Sequence, residues 1–179
     1  MHIKEPRQQL DHMLRETRLH LISFSRMADT KANILLSISS VLLSISLTQV
    51  SDPRFTASIT VLVSFLLITI FLALMTVIPK LQGFRHKKFS VHDPDYSPLF
   101  FGNYADVPYE EYARDLEEIM NDSDRTYEVM VKEIYYSGVY LVKGKYQYIR
   151  YGYMFFFAGL IISTFIFFIQ NFLYTVPQN

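Results

Sequence analysis

The stretch RMADTKANILLSISSVLLSISLTQV, residues 26–50, decides the fold. Arg26, Asp29 and Lys31 crowd its first turn and a half or so, and no charge follows from Ala32 to Ser51. A membrane span needs roughly 20 mainly apolar residues to cross about 30 Å of hydrocarbon at about 1.5 Å per residue. The run is long enough, and so are Phe55–Ile78 and the segment from Tyr151 to the C-terminus, which also lack charge. The middle segment, ITVLVSFLLITIFLALMTVI, is apolar all round, whereas a helix on the surface of a soluble bundle keeps a polar face. These features predict an all-α integral membrane protein with three transmembrane helices.

Composition narrows the function classes. The chain of 179 residues has no Cys, no Trp, 15 Phe, 13 Tyr and 17 basic residues against 17 acidic ones. Balanced charge gives no basic surplus for gripping nucleic acid. Without Cys there is no disulfide framework, thiolate zinc site or Cys nucleophile. The first 31 residues are charged, so they do not read as a signal peptide.

The basic residues set an expected orientation. Lys4, Arg7, Arg15, Arg18, Arg26 and Lys31 precede the first span, Arg54 alone lies between the first two, and the other ten lie between Lys80 and Arg150. Positive charge stays on the cytoplasmic side, which puts the N-terminus and the 80–150 segment inside and the C-terminus outside. Tyr146, Tyr148, Tyr151 and Tyr153 at the inner end of the third span and Tyr174 at the outer end then lie at headgroup level.

The expected organisation is a cytoplasmic stalk helix (1–31), a first span (32–50), an external turn (51–55), a second span (56–78), a cytoplasmic loop and helical region (79–150), a third span (151–174) and an external tail (175–179). No Pro or Gly interrupts from Arg7 to the first span, so that span continues inward as the stalk, with Leu10, Met13, Leu14, Leu21 and Phe24 as its apolar side. A second helix is signalled by Asp106 as cap, Pro108, and the stripe Tyr109, Tyr112, Leu116 and Ile119. Asp122 and Ser123 break and recap the chain, and one helix then runs through Tyr127, Met130, Ile134, Leu141 and Tyr148 into the third span. Gly138 and Gly144 weaken it, for close packing or as a hinge. Residues 83–107, rich in Pro, Gly, Asp and Asn, read as an ordered loop. No internal repeat stands out.

At about 100° per residue, Arg26, Asp29, Asn33, Ser37, Ser40, Ser44 and Thr48 fall within an arc of about 100°. Ser39, Ser46 and Lys31 lie on the opposite side. Such a polar stripe has two physical readings: close packing and hydrogen bonding between helices, or the lining of an aqueous path in an oligomer. The hydroxyls also have a private option, the carbonyl one turn back. Asp29 and Lys31 point to different sides of the helix and need separate partners. Asp29 is expected to meet Lys145 or Arg150 at the same depth, tying the first and third helices together. Lys31 either snorkels to lipid phosphate or serves a ligand.

Three blocks, MADTKANILLSISSVLLSI (27–45), PLFFGNYADVPYEEY (98–112) and YLVKGKYQYIRYGYMFFFAGLIIS (140–163), resemble the Pycsar transmembrane effectors of bacterial antiphage defence. The likeness runs from about Leu19 to Ser163, with ADTKA (28–32) its most specific part. It implies a partner pyrimidine cyclase that makes cyclic UMP or cyclic CMP, and an effector in the bacterial inner membrane that senses the product and disrupts the bilayer as a homo-oligomer. A cytoplasmic site for the ring phosphate and base is implied too. Suitable chemistry is offered by Arg26, Lys31, Lys145 and Arg150 for the phosphate and by Phe100, Phe101, Tyr104 or Tyr146 for stacking. The chain departs from ordinary nucleotide sensors in lacking a β-rich roll and a Gly-rich phosphate loop. PLFF reads equally as a hydrophobic plug on the stalk.

No cofactor, metal or catalysis is expected. His92-Asp93 lacks further ligands at matching positions, His12 and His20 are two turns apart, and no Ser-His-Asp or HExxH set is present. The acidic run EEYARDLEEIMNDSD reads as a solvated helix face. Beside the ligand-gated effector stands one other function class, a constitutive membrane anchor whose stalk recruits a partner protein.

Overall fold

A computed structural model describes residues 8–49, 52, 55–78, 90–91, 93, 96–105 and 107–175. It is about 89% helical, and no strand occurs among the described residues. The elements are α1 (Gln8–Thr48), α2 (Thr56–Val77), a single turn α3 (Phe101–Tyr104), α4 (Tyr109–Asn121), α5 (Ser123–Tyr140), a π-helical segment (Leu141–Tyr146) and α6 (Gln147–Thr175). Three helical stretches are long and apolar enough to cross a membrane: Gln8–Thr48, Thr56–Val77 and Ser123–Leu173. The first and third carry their apolar part as the continuation of a polar one, the first without a Pro or Gly to break it and the third despite Gly138 and Gly144.

The chain divides into two compact units, Met1–Ser25 with Pro79–Val142, and Arg26–Ile78 with Lys143–Asn179. The first unit combines the N-terminal half of α1 with α4 and α5. Asp122 caps α5, its Oδ1 accepting from the backbone N–H of Asp124 at 3.0 Å and of Arg125 at 3.3 Å. That bond answers donors the helix cannot satisfy itself. Arg125 fastens the α4–α5 corner through Glu118 at 2.8 Å and Asp115 at 2.9 Å. Arg18 pairs with Glu133 at 2.6 Å, and the Tyr127 hydroxyl donates to Asp11 at 2.6 Å, joining α1 to α5.

Several details of this unit differ from expectation. Leu14 is buried and Leu10 and Leu21 are half-buried, whereas Met13 and Phe24 are exposed, because they lie well round the helix from the Leu14 line. In α4 the buried stripe ends in Ile119, and Tyr109 stands 76% exposed at the first turn. Pro108 occupies the cap position and its carbonyl accepts from Glu111 and Tyr112. Asp106, expected as that cap, lies outside the described residues, as do Arg54, His92 and the side chain of Tyr174. Gly138 is not a close-packing glycine, since a Cβ there would meet Leu21 at an ordinary 3.9 Å.

The second unit packs the C-terminal half of α1, α2 and α6. Leu35, Leu66, Ala73 and Phe156 form its core. Each helix buries residues spaced three and four apart: Ala28, Ala32, Leu35 and Ser39 on α1; Leu66, Thr69, Ala73 and Thr76 on α2; Ile149, Gly152, Phe156, Gly159 and Ser163 on α6. This spacing is the seam of helices that cross at small angles. Gly159 is required by contact: a Cβ there would stand 2.5 Å from the Phe65 Cβ. At Gly152 it would meet Leu35 Cδ2 at 3.0 Å.

Candidate functional site

The first turns of α1 within the spanning unit hold Arg26, Asp29 and Lys31. Ala28 and Ala32 are fully buried and pack with Ile149, bordered by Tyr146 and Tyr153. Small side chains at these two positions let α1 and α6 approach closely. Beside them Lys145 Nζ donates to both Asp29 carboxylate oxygens, at 2.6 and 2.7 Å. The Lys145 side chain is only 13% exposed, so its charge is neutralised on the spot. Arg26, Lys31, Lys143 and Arg150 are exposed. The Tyr153 hydroxyl reaches the Lys31 carbonyl at 3.4 Å.

Lys145 sits in the π-helical segment LVKGKY. A π turn widens the helix and is strained, and Gly144 within it lowers the cost of departing from α geometry. The division between the two units falls in this segment, between Val142 and Lys143, and in α1 between Ser25 and Arg26.

The polar stripe faces outward. Asn33, Ser37, Ser40, Ser44 and Thr48 are all exposed, on the side of α1 away from its buried face. They do not pack α1 against α2 or α6; that work falls to Ala28, Ala32, Leu35 and Ser39. Within the stripe Ser37 Oγ donates to the Asn33 carbonyl at 2.9 Å, Ser44 Oγ to that of Ser40 at 3.0 Å and Thr48 Oγ1 to that of Ile45 at 2.7 Å. The sequence carries a signal that a scan for long repeats overlooks. LLSISSV (35–41) is followed directly by LLSISLT (42–48). This seven-residue repeat places Ser39 and Ser46 on the buried side and Ser37 and Ser44 on the outer one, which explains hydroxyls on two faces.

Of the residues offered for a nucleotide, Arg26, Lys31, Lys145, Tyr146 and Arg150 belong to the spanning unit and Phe100 and Phe101 to the other. Phe100 is half-buried; the side chain of Phe101 lies outside the described part.

Residues 12–170 match the Pycsar effector protein domain. The chain belongs to the Pycsar effector family. No curated protein and no solved structure matches it. The Pycsar effector domain begins within α1 at residue 12 and ends within α6 at residue 170, so it takes in both compact units.

A polar group that sequence reasoning passed over lies in the other unit. Tyr96 and Ser97 are buried ahead of α3, and the hydroxyls of both lack a hydrogen-bond partner among the described residues. Burial, reinforced by Asp115, Tyr112 and Glu111 on α4, pushes the Tyr96 phenol up to about 12. Nothing local in DPDYSPLF marks these side chains as buried, because their burial depends on the packing of α4.

Proposed function

We propose that the chain is the membrane-acting effector of an antiphage system. Its cytoplasmic helices sense cyclic UMP or cyclic CMP made by a partner pyrimidine cyclase. It then disrupts the bacterial inner membrane as a homo-oligomer, with the N-terminus inside. The observation that carries this reading is the outward stripe from Asn33 to Thr48. In hydrocarbon a row of amide and hydroxyl side chains gains nothing from lipid, and polar groups of spans face protein or water. With α2 and α6 on the other side of α1, the stripe meets copies of itself, and an assembly with α1 near its axis lines an aqueous path.

The test is expression with and without the cyclase. The chain alone is expected to be harmless, and toxic only with the cyclase or its nucleotide. Ser40→Leu combined with Ser44→Leu is expected to abolish toxicity while leaving nucleotide affinity intact, since both side chains are exposed. Undiminished toxicity of the double variant overturns the pore-lining role. Indifference of the wild type to cyclase and nucleotide alike makes the chain an anchor.

A further inference from the structure

Residues 96–105 fold back on themselves against α4. The backbone N–H of Phe100 donates to the Ser97 carbonyl at 3.1 Å and that of Asn103 to the Phe100 carbonyl at 2.9 Å. The Tyr112 hydroxyl reaches the Pro98 carbonyl at 3.4 Å, and the Tyr104 and Tyr112 rings lie 5.1 Å apart. Inside this frame Tyr96, Ser97 and Asn103 are 6%, 5% and 3% exposed.

Buried hydroxyls are almost always paired, because each has given up its bonds to water. Here two at adjacent positions have no partner among the described residues, and they belong to one short segment whose backbone is held by its own turns. Among the described residues the charges that act on the Tyr96 phenol are the carboxylates of Asp115 and Glu111, the former paired with Arg125 at 2.9 Å. Such surroundings repel an anion and accept a neutral group. A hydroxyl both donates and accepts, which suits an edge where donors and acceptors alternate. Aromatic rings at Tyr104 and Tyr112 add flat apolar surface.

We propose that Tyr96 and Ser97 form the seat of a nucleotide base, hydrogen bonding to its edge through their two buried hydroxyls. This rests on the reading of the chain as a sensor of a cyclic pyrimidine nucleotide, and it assigns the base, not the phosphate, to the loop before α4. Tyr96→Phe and Ser97→Ala each remove one hydroxyl and little volume.

The experiment is calorimetric titration of the full chain in lipid nanodiscs with cyclic CMP, cyclic UMP and cyclic AMP, alongside the ligand-free thermal midpoint. The wild type is expected to prefer one cyclic pyrimidine nucleotide. Each variant is expected to weaken that binding about tenfold and to shrink the preference over cyclic AMP. The ligand-free midpoint is expected to hold or rise, because an unpaired hydroxyl has gone. Unchanged affinity and preference in both variants, with a lowered midpoint, overturn the assignment and make the hydroxyls partners of structural water. Absence of binding of either cyclic pyrimidine nucleotide to the wild type overturns the sensor reading itself.

Discussion

In the spanning unit the helices meet through alanine, glycine and hydroxyl faces; in the unit of α4 and α5 they meet through Arg18–Glu133, Tyr127–Asp11 and the Arg125 clasp. The contrast follows from the solvent. Hydrocarbon gives apolar helices no hydrophobic reason to associate, so close approach and van der Waals contact must hold them. Water gives that reason, and it also screens the ion pairs that add geometry to it. One unit is therefore sensitive to the size of a side chain and the other to charge and pH.

Substitutions sharpen this contrast in decreasing order of effect. Gly159→Leu forces α6 off Phe65 and is expected to cost about 3 kcal/mol or more of stability, measured by thermal unfolding in detergent. Should the melting curve hardly move, close approach is not what joins α2 to α6. Asp29→Asn tests the exception, an ion pair inside the size-sensitive unit. It takes the Asp29 charge away from a lysine side chain only 13% exposed and is expected to cost about 2 kcal/mol. Lys145→Glu, which sets two carboxylates together, is expected to be worse.

Two further tests probe the charge-sensitive unit. Asp122→Ala removes the cap of α5 and is expected to cost about 1 kcal/mol, read from protease susceptibility of the α4–α5 region. The last effect is nil at neutral pH. Tyr96 ionises near 10 when unfolded and about 12 when folded, so the folded state holds its proton longer. The resulting stability is complete below pH 10 and is lost as pH rises through 12. Alkaline unfolding followed by circular dichroism is expected to show this loss, and Tyr96→Phe to remove that part of it.

Much of the scaffold was legible in the sequence. Charge-free runs mark the three spans, the missing breakers between Arg7 and the first span make α1 one piece, and Asp122 announces its own cap. Asp29 needed a counter-charge at its own depth, which pointed to two bases; choosing Lys145 over Arg150 depends on the π-helical segment, and Gly144 is only a weak sign of that. The buried hydroxyls of Tyr96 and Ser97 were illegible, because loop residues reveal their burial only once α4 is in place. The repeat LLSISSV–LLSISLT is plain in the sequence, but only the packing of α1 distinguishes its covered serines, Ser39 and Ser46, from its outer ones.

The hydroxyl-to-carbonyl bonds within α1 carry one more consequence. Ser37 and Ser44 each hold their proton on their own helix, so neither needs a neighbour to remain in oil. The same oxygens keep lone pairs open, and a small rotation turns each toward water when water arrives. A face of leucines is at home only in the bilayer, and a face of aspartates only outside it. This face is amphibious: its back-bonded hydroxyls cost less in the membrane than charged side chains would, and the helix needs no rebuilding for the same hydroxyls to face protein or water.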